Sequence, residues 1–174
     1  MANAFETLGL EARFEVEPSR VERAYLRLVA GLHPDAEGGG DEDEAKVAAL
    51  NRARAVLLNP EKRAHEVLGV IGGTPGVEEK ALPPGFLMEM METREEVEAA
   101  LASGDEGARA RWREWARAQR REYVAKVGAL FEAARARPDE PRRELREVLN
   151  AWRYIERLAE QLEPGYDPGE ADFA

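Results

Sequence analysis

The chain has 174 residues, 44% of them hydrophobic and 34% charged, with a net charge of −10. That length suits one medium or two small domains, and that charge argues against nucleic acid or an anionic membrane as the main partner. With no cysteine there is no disulfide framework, thiolate nucleophile or zinc knuckle. No apolar run reaches about 18 residues and no basic-then-apolar leader pattern opens the chain, so a soluble, cytoplasmic protein is expected.

In chain order, AFETLGLE places Phe5 and Leu8 at helical spacing. EPSRVERAYLRLVAGL follows, with Pro18 near a first-turn position and Ser19 and Glu22 at capping-box spacing. Val21, Tyr25, Leu28 and Leu32 form one apolar stripe, the inward face of an amphipathic helix. Arg20, Arg23 and Arg27 recur on a different face. Alone, such a stripe is most often a solvated surface. Here it leads into His33-Pro34-Asp35. Pro34 lacks an N–H and disfavours helical geometry at His33, so the helix should stop there and present an imidazole and a carboxylate on a stiff corner. A basic docking face is then the better reading.

An acidic, glycine-rich loop with Glu37, Asp41, Glu42, Asp43 and Glu44 precedes a second long helix that carries Val47, Leu50, Ala53 and Leu57 inward. Acidic residues before its first turn suit the positive end of its dipole. Asn59-Pro60 breaks it, and PEKRAHEVLGV continues as helix towards Gly72-Gly73. Residues 1–72 thus read as an antiparallel helix pair with short flanking helices.

FETLGL, AYLRLVAGLHPD and LNRARAVLLNPEKRAHEVL, in that order, resemble the J-domain of DnaJ-type co-chaperones. The resemblance implies that His33, Pro34 and Asp35 form the loop that stimulates ATP hydrolysis by a DnaK-type chaperone. It also implies that Arg20, Arg23 and Arg27 form the face that docks on it. Asp35 can pair with a partner cation and Pro34 fixes the loop's shape. Two positions depart from the family pattern: Ala36 stands where lysine is usual, and Arg54 where an aromatic is usual.

Residues 73–85 are rich in proline and glycine and read as a linker. Three helical patterns follow over 86–163: FLMEMMETREEVEAALAS up to Gly104, DEGARARWREWARAQRREYVAKVGALFEAARAR up to Pro138, and EPRRELREVLNAWRYIERLAEQLE. The third carries Leu145, Val148, Trp152, Ile155, Ala159 and Leu162 at heptad spacing, which predicts an antiparallel three-helix bundle. The second contributes Trp112, Trp115, Val127 and either Leu130 or Phe131 to the core. Residues 164–174 form a polar tail, expected to be disordered. The fold class is therefore all-α.

The first bundle helix carries more apolar surface than one face can bury. At 100° per residue, Phe86, Met90, Val97 and Leu101 fall within about 60° of one another, a core stripe. Leu87, Met88 and Met91 lie far round the cylinder, with Glu92 and Glu95 beside them, and Tyr154 lies off the heptad stripe of the third helix. Methionine clusters are usually core, but opposite a complete stripe they suit an adaptable binding surface.

FLMEMMETREEVE and RYIERL resemble helices of HscB, the J-protein family dedicated to iron–sulfur cluster assembly, and the likeness spans nearly the whole chain. It implies a co-chaperone that is not itself an enzyme, with a DnaK/HscA-type chaperone and a cluster scaffold protein as partners. It assigns Leu87, Met88, Met91, Glu92, Glu95 and Tyr154 to scaffold binding. No cofactor or metal is implied. A J-protein for another client is the alternative. A metal site made by His33, Asp35 and His65 is disfavoured, because the second helix separates the histidines.

Overall fold

The computed structural model describes residues 2–32, 41–72, 80–137, 142–163 and 166. Among these residues it is entirely helical, with seven helices: α1 (Ala4–Leu8), α2 (Pro18–Ala30), α3 (Asp41–Leu58), α4 (Pro60–Val70), α5 (Phe86–Ser103), α6 (Glu106–Ala136) and α7 (Arg143–Glu160). They form two compact units, Met1–Pro75 and Gly76–Ala174.

In the first unit the capping box is made by Asn3 and Glu6, each side chain accepting the other's backbone N–H at 2.9 and 3.1 Å. Ser19 and Glu22, at the right spacing, make no such box. Pro18 occupies the first turn of α2 and Glu17 is the N-cap, without a side-chain cap bond. Ser19 is therefore already inside the helix. Proline's fixed φ favours N1, which leaves a capping serine one position too late. The acidic run likewise begins within α3, Asp41 to Glu44 forming its first turn rather than preceding it.

Helices α1 and α2 both pack along α3, which also meets α4. Phe5, Leu8, Phe14, Val21, Leu50, Ala53, Leu57, Val67 and Leu68 are buried, while Tyr25, Leu28, Leu32 and Val47 are half-buried. Helices α2 and α3 run antiparallel: the Tyr25 hydroxyl donates to Asn51 (2.7 Å) and Arg54 donates to Glu22 (2.8 and 2.6 Å). The departure at Arg54 thus has a physical account. Its guanidinium lies 5.2 Å from the Tyr25 ring centroid while forking onto Glu22, so a cation with a stacked ring ties the two helices together. Asn59 caps α4 by accepting from Glu61 and Lys62 N–H. From that helix the buried Arg63 donates to the carbonyls of Phe14 (2.7 Å) and Leu57 (2.6 Å). Burial lowers the pKa of that guanidinium. Two carbonyls without helical partners are satisfied this way, as buried backbone requires.

In the second unit Gly85 and Gly104 flank α5 with φ of 81° and 69°, left-handed values that suit glycine. Asp105 caps α6 through the Gly107 N–H. Arg113 of α6 donates to the Leu162 carbonyl beyond α7, and Arg120 pairs with Glu156. Numbers rising on one helix as they fall on the other mark an antiparallel pair. Tyr123 of α6 and Met90 of α5 line one groove, while Arg109 reaches the Leu101 carbonyl. Those contacts make α5 and α6 antiparallel as well. At 31 residues against 18 for each neighbour, α6 is the long member, roughly 46 Å against 27 Å.

Leu145, Val148, Leu149, Trp152, Ile155, Leu158 and Leu162 are buried, with Phe86, Met90, Val97, Ala100, Val127 and Phe131 opposite them. Of the alternatives on α6, Phe131 takes the core position and Leu130 is half-buried. Trp112 and Trp115 are half-buried, packed edge to face with ring centroids 5.3 Å apart. Leu101 is also only half-buried; Ala100 faces inward more fully. Glu156 accepts from Arg120 and, at 2.8 Å, from the indole N–H of the fully buried Trp152. Tyr123 stacks on that indole at 6.0 Å. Among the described residues no helix is long and apolar enough to cross a membrane.

Candidate chaperone-docking and client-binding surfaces

The first surface lies on α2. Its inward side is set by Val21 and Ala24, both buried. That rotation leaves Arg20, Arg23 and Arg27 exposed and within about 60° of each other. None of the three pairs with a carboxylate among the described residues, whereas Arg54 is committed to Glu22. Leu26, 60% exposed, sits beside the stripe. Sequence reading missed it, although its position about 140° round from Val21 was calculable. The helix closes at Ala30, and Gly31 N–H returns to the Leu28 carbonyl. His33, Pro34 and Asp35 follow directly in sequence but lie outside the described residues, as do Ala36 and Glu37.

The second surface lies on α5. With Phe86, Met90, Val97 and Ala100 turned inward, Leu87, Met88 and Met91 are left 54%, 71% and 60% exposed. Tyr154 of α7 is 43% exposed and meets the Phe86 ring edge-on, centroids 6.0 Å apart. The Phe86 contact brings Tyr154 against the start of α5, where the exposed apolar residues begin. Glu92 and Glu95 are exposed and unpaired among the described residues. An ion pair absent from the sequence reading, Arg94 with Glu98 at 2.7 Å, lies farther along α5. Its i,i+4 spacing was the available signal.

Among the described residues no three His, Cys, Asp or Glu side chains cluster so as to hold a metal ion. His65 faces Glu61 on its own helix, Nε2 to Oε1 2.9 Å. Both surfaces offer exposed side chains on rigid helices, which serves recognition of another protein.

Comparison with known proteins finds two family models along the chain. Residues 3–65 match the DnaJ domain, and residues 82–163 match the HSCB C-terminal oligomerisation domain. The chain is 30% identical over 168 residues to a co-chaperone protein HscB homolog of Vibrio cholerae, covering 92% of this chain and 98% of that one. The chain belongs to the HscB family of co-chaperones. A Burkholderia thailandensis HscB homolog is 32% identical over 135 residues, 74% of this chain and 77% of its own. The Vibrio cholerae HscB structure superposes with a TM-score of 0.69 at 27% identity, covering 92% of this chain and 95% of that chain. The human HscB crystal structure gives 0.73 at 23% identity, covering 93% and 81% respectively, and attests the fold. This HscB homologue is accordingly a J-domain co-chaperone and not an enzyme.

Proposed function

We propose that this HscB homologue binds an iron–sulfur cluster scaffold protein through α5 and delivers it to a DnaK/HscA-type chaperone in the cytoplasm. The J-domain would then stimulate that chaperone's ATP hydrolysis, assisting cluster assembly and transfer. The observation that carries the reading is the exposed trio Leu87, Met88 and Met91 beside a core stripe that is already closed. Covering that trio, with Tyr154, removes apolar surface from water, and Glu92 and Glu95 form a polar rim for a basic patch opposite. On the chaperone side, Arg20, Arg23 and Arg27 steer an acidic surface onto α2, while His33, Pro34 and Asp35 act at its end. Because one chain holds both partners, each binding event makes the next intramolecular and raises the local concentration of scaffold at the chaperone.

The test is calorimetric. Replacing Leu87, Met88 and Met91 together by alanine should weaken scaffold binding by two or more orders of magnitude, equivalent to about 3 kcal/mol. Alanine favours helix, so the helical signal should persist, and the melting temperature should stay close to the parent's. A large drop in melting temperature with affinity retained would mark these side chains as core and remove the reading. The division 1–72, 73–85, 86–163 and 164–174 belongs to the same proposal: a fragment beginning near residue 80 should bind scaffold without stimulating the chaperone.

A further inference from the structure

We infer that Met88 and Met91 form an oxidant-sensitive pair, and that conversion of their thioethers to sulfoxides by peroxide releases the client. The consequence for the client rests on the scaffold-binding reading; the selectivity of oxidation rests on the structure alone. Four residues of the chain are methionine and none is cysteine, so no thiol competes for a two-electron oxidant. Three of the four lie within four positions on α5, where the helix sorts them sharply. Met88 and Met91 are 71% and 60% exposed, while Met90, between them in sequence, is 8% exposed in the core.

Reactivity towards peroxide follows access to the sulfur lone pair. The sulfur attacks the peroxide O–O bond, one oxygen is transferred, and the other leaves as water once the proton has moved. Methionine is oxidised by two electrons and hydrogen peroxide is reduced. The product is a polar sulfoxide where an adaptable apolar side chain stood. Burying it against a partner requires stripping water from a strong acceptor that the apolar contact was not built to satisfy. Two such groups on one face, about 60° apart on the helix, change the centre of the patch and not merely its rim. Met90 stays thioether, so the bundle keeps its core. The modification therefore switches binding without unfolding.

The experiment treats the intact chain with hydrogen peroxide, removes the oxidant with catalase, and only then adds purified scaffold. Peptide mass spectrometry should show Met88 and Met91 gaining oxygen at least about tenfold faster than Met90, as accessibility dictates. Scaffold affinity should fall by about tenfold or more, with the helical signal unchanged, and methionine sulfoxide reductases of both epimer classes should restore it. The double variant Met88→Leu, Met91→Leu has no exposed thioether on this face and should keep whatever affinity it starts with after peroxide. Equal oxidation of Met90 would overturn the selectivity. Unchanged affinity of the oxidised parent, or loss of affinity in the peroxide-treated leucine variant, would overturn the switch. The alanine triple variant separates the two readings: if it too binds normally, the scaffold site itself is misplaced.

Discussion

Glu156→Ala should loosen the bundle by an amount that the local contacts determine. Glu156 is only 9% exposed and accepts from Arg120 and from the indole N–H of Trp152, itself fully buried. Removing the carboxylate orphans that N–H in the core, a loss of about 1–3 kcal/mol. Arg120 is 48% exposed and can return to water, so its lost pairing adds only about 0.5–1 kcal/mol. Together these give roughly 1.5–4 kcal/mol, or a fall of about 6–30 °C in melting temperature for a unit of this size. All three tryptophans, Trp112, Trp115 and Trp152, lie in the second unit. Urea unfolding followed by tryptophan fluorescence therefore reads the bundle alone. Glu156→Gln keeps an acceptor for the indole and should lose about 1 kcal/mol. If Glu156→Ala unfolds within about 0.5 kcal/mol of the parent, this hydrogen-bond network does not hold α6 to α7.

Two further outcomes are expected. Arg23→Glu and Arg27→Glu should each raise the concentration needed for half-maximal chaperone stimulation by about tenfold, and the parent's requirement should rise with salt; a salt-independent requirement would place docking elsewhere. Tyr123, half-buried and stacked on Trp152 with Glu122 and Glu89 nearby, has its phenol pushed up to about 12, partial loss of water being the larger cause. The fold thus favours the protonated phenol: its contribution is fully present below the unfolded value of 10.0 and is lost as pH rises through about 12. Absorbance titration should show a late phenolate that Tyr123→Phe abolishes, and one that ionises near 10 would contradict that burial.

Helical periodicity made the two faces of α5 legible before any coordinates, because each side chain's angle depends only on its position along the helix. Gly104 and Asp105 likewise punctuate α5 and α6 through rules that act within a few residues. What sequence did not reveal was the polar framework between helices. Arg54 reaches Glu22 across 32 positions, Arg120 reaches Glu156 across 36, and Arg63 reaches the Phe14 carbonyl across 49. No local spacing encodes such pairs, and a charged residue on a helix reads as surface until its partner is placed. The capping box failed for a smaller reason. Ser19 and Glu22 have the spacing, but Pro18 already begins the helix. Trp112 and Trp115 were read as core because their aromatic area is large, yet their position near the start of the long α6 leaves them half-covered. The His33-Pro34-Asp35 loop rests on sequence alone.

The most direct measurement is steady-state ATP hydrolysis by the partner DnaK-type chaperone, with and without scaffold, in the presence of this co-chaperone or its His33→Gln variant. The variant should melt with the parent and bind scaffold with the parent's affinity. The account predicts that it nevertheless fails to stimulate hydrolysis under either condition, while the Leu87, Met88 and Met91 alanine variant stimulates normally without scaffold and gains nothing when scaffold is added. Parent-level stimulation by His33→Gln would contradict the assignment of the loop, and with it the division of labour between the two units.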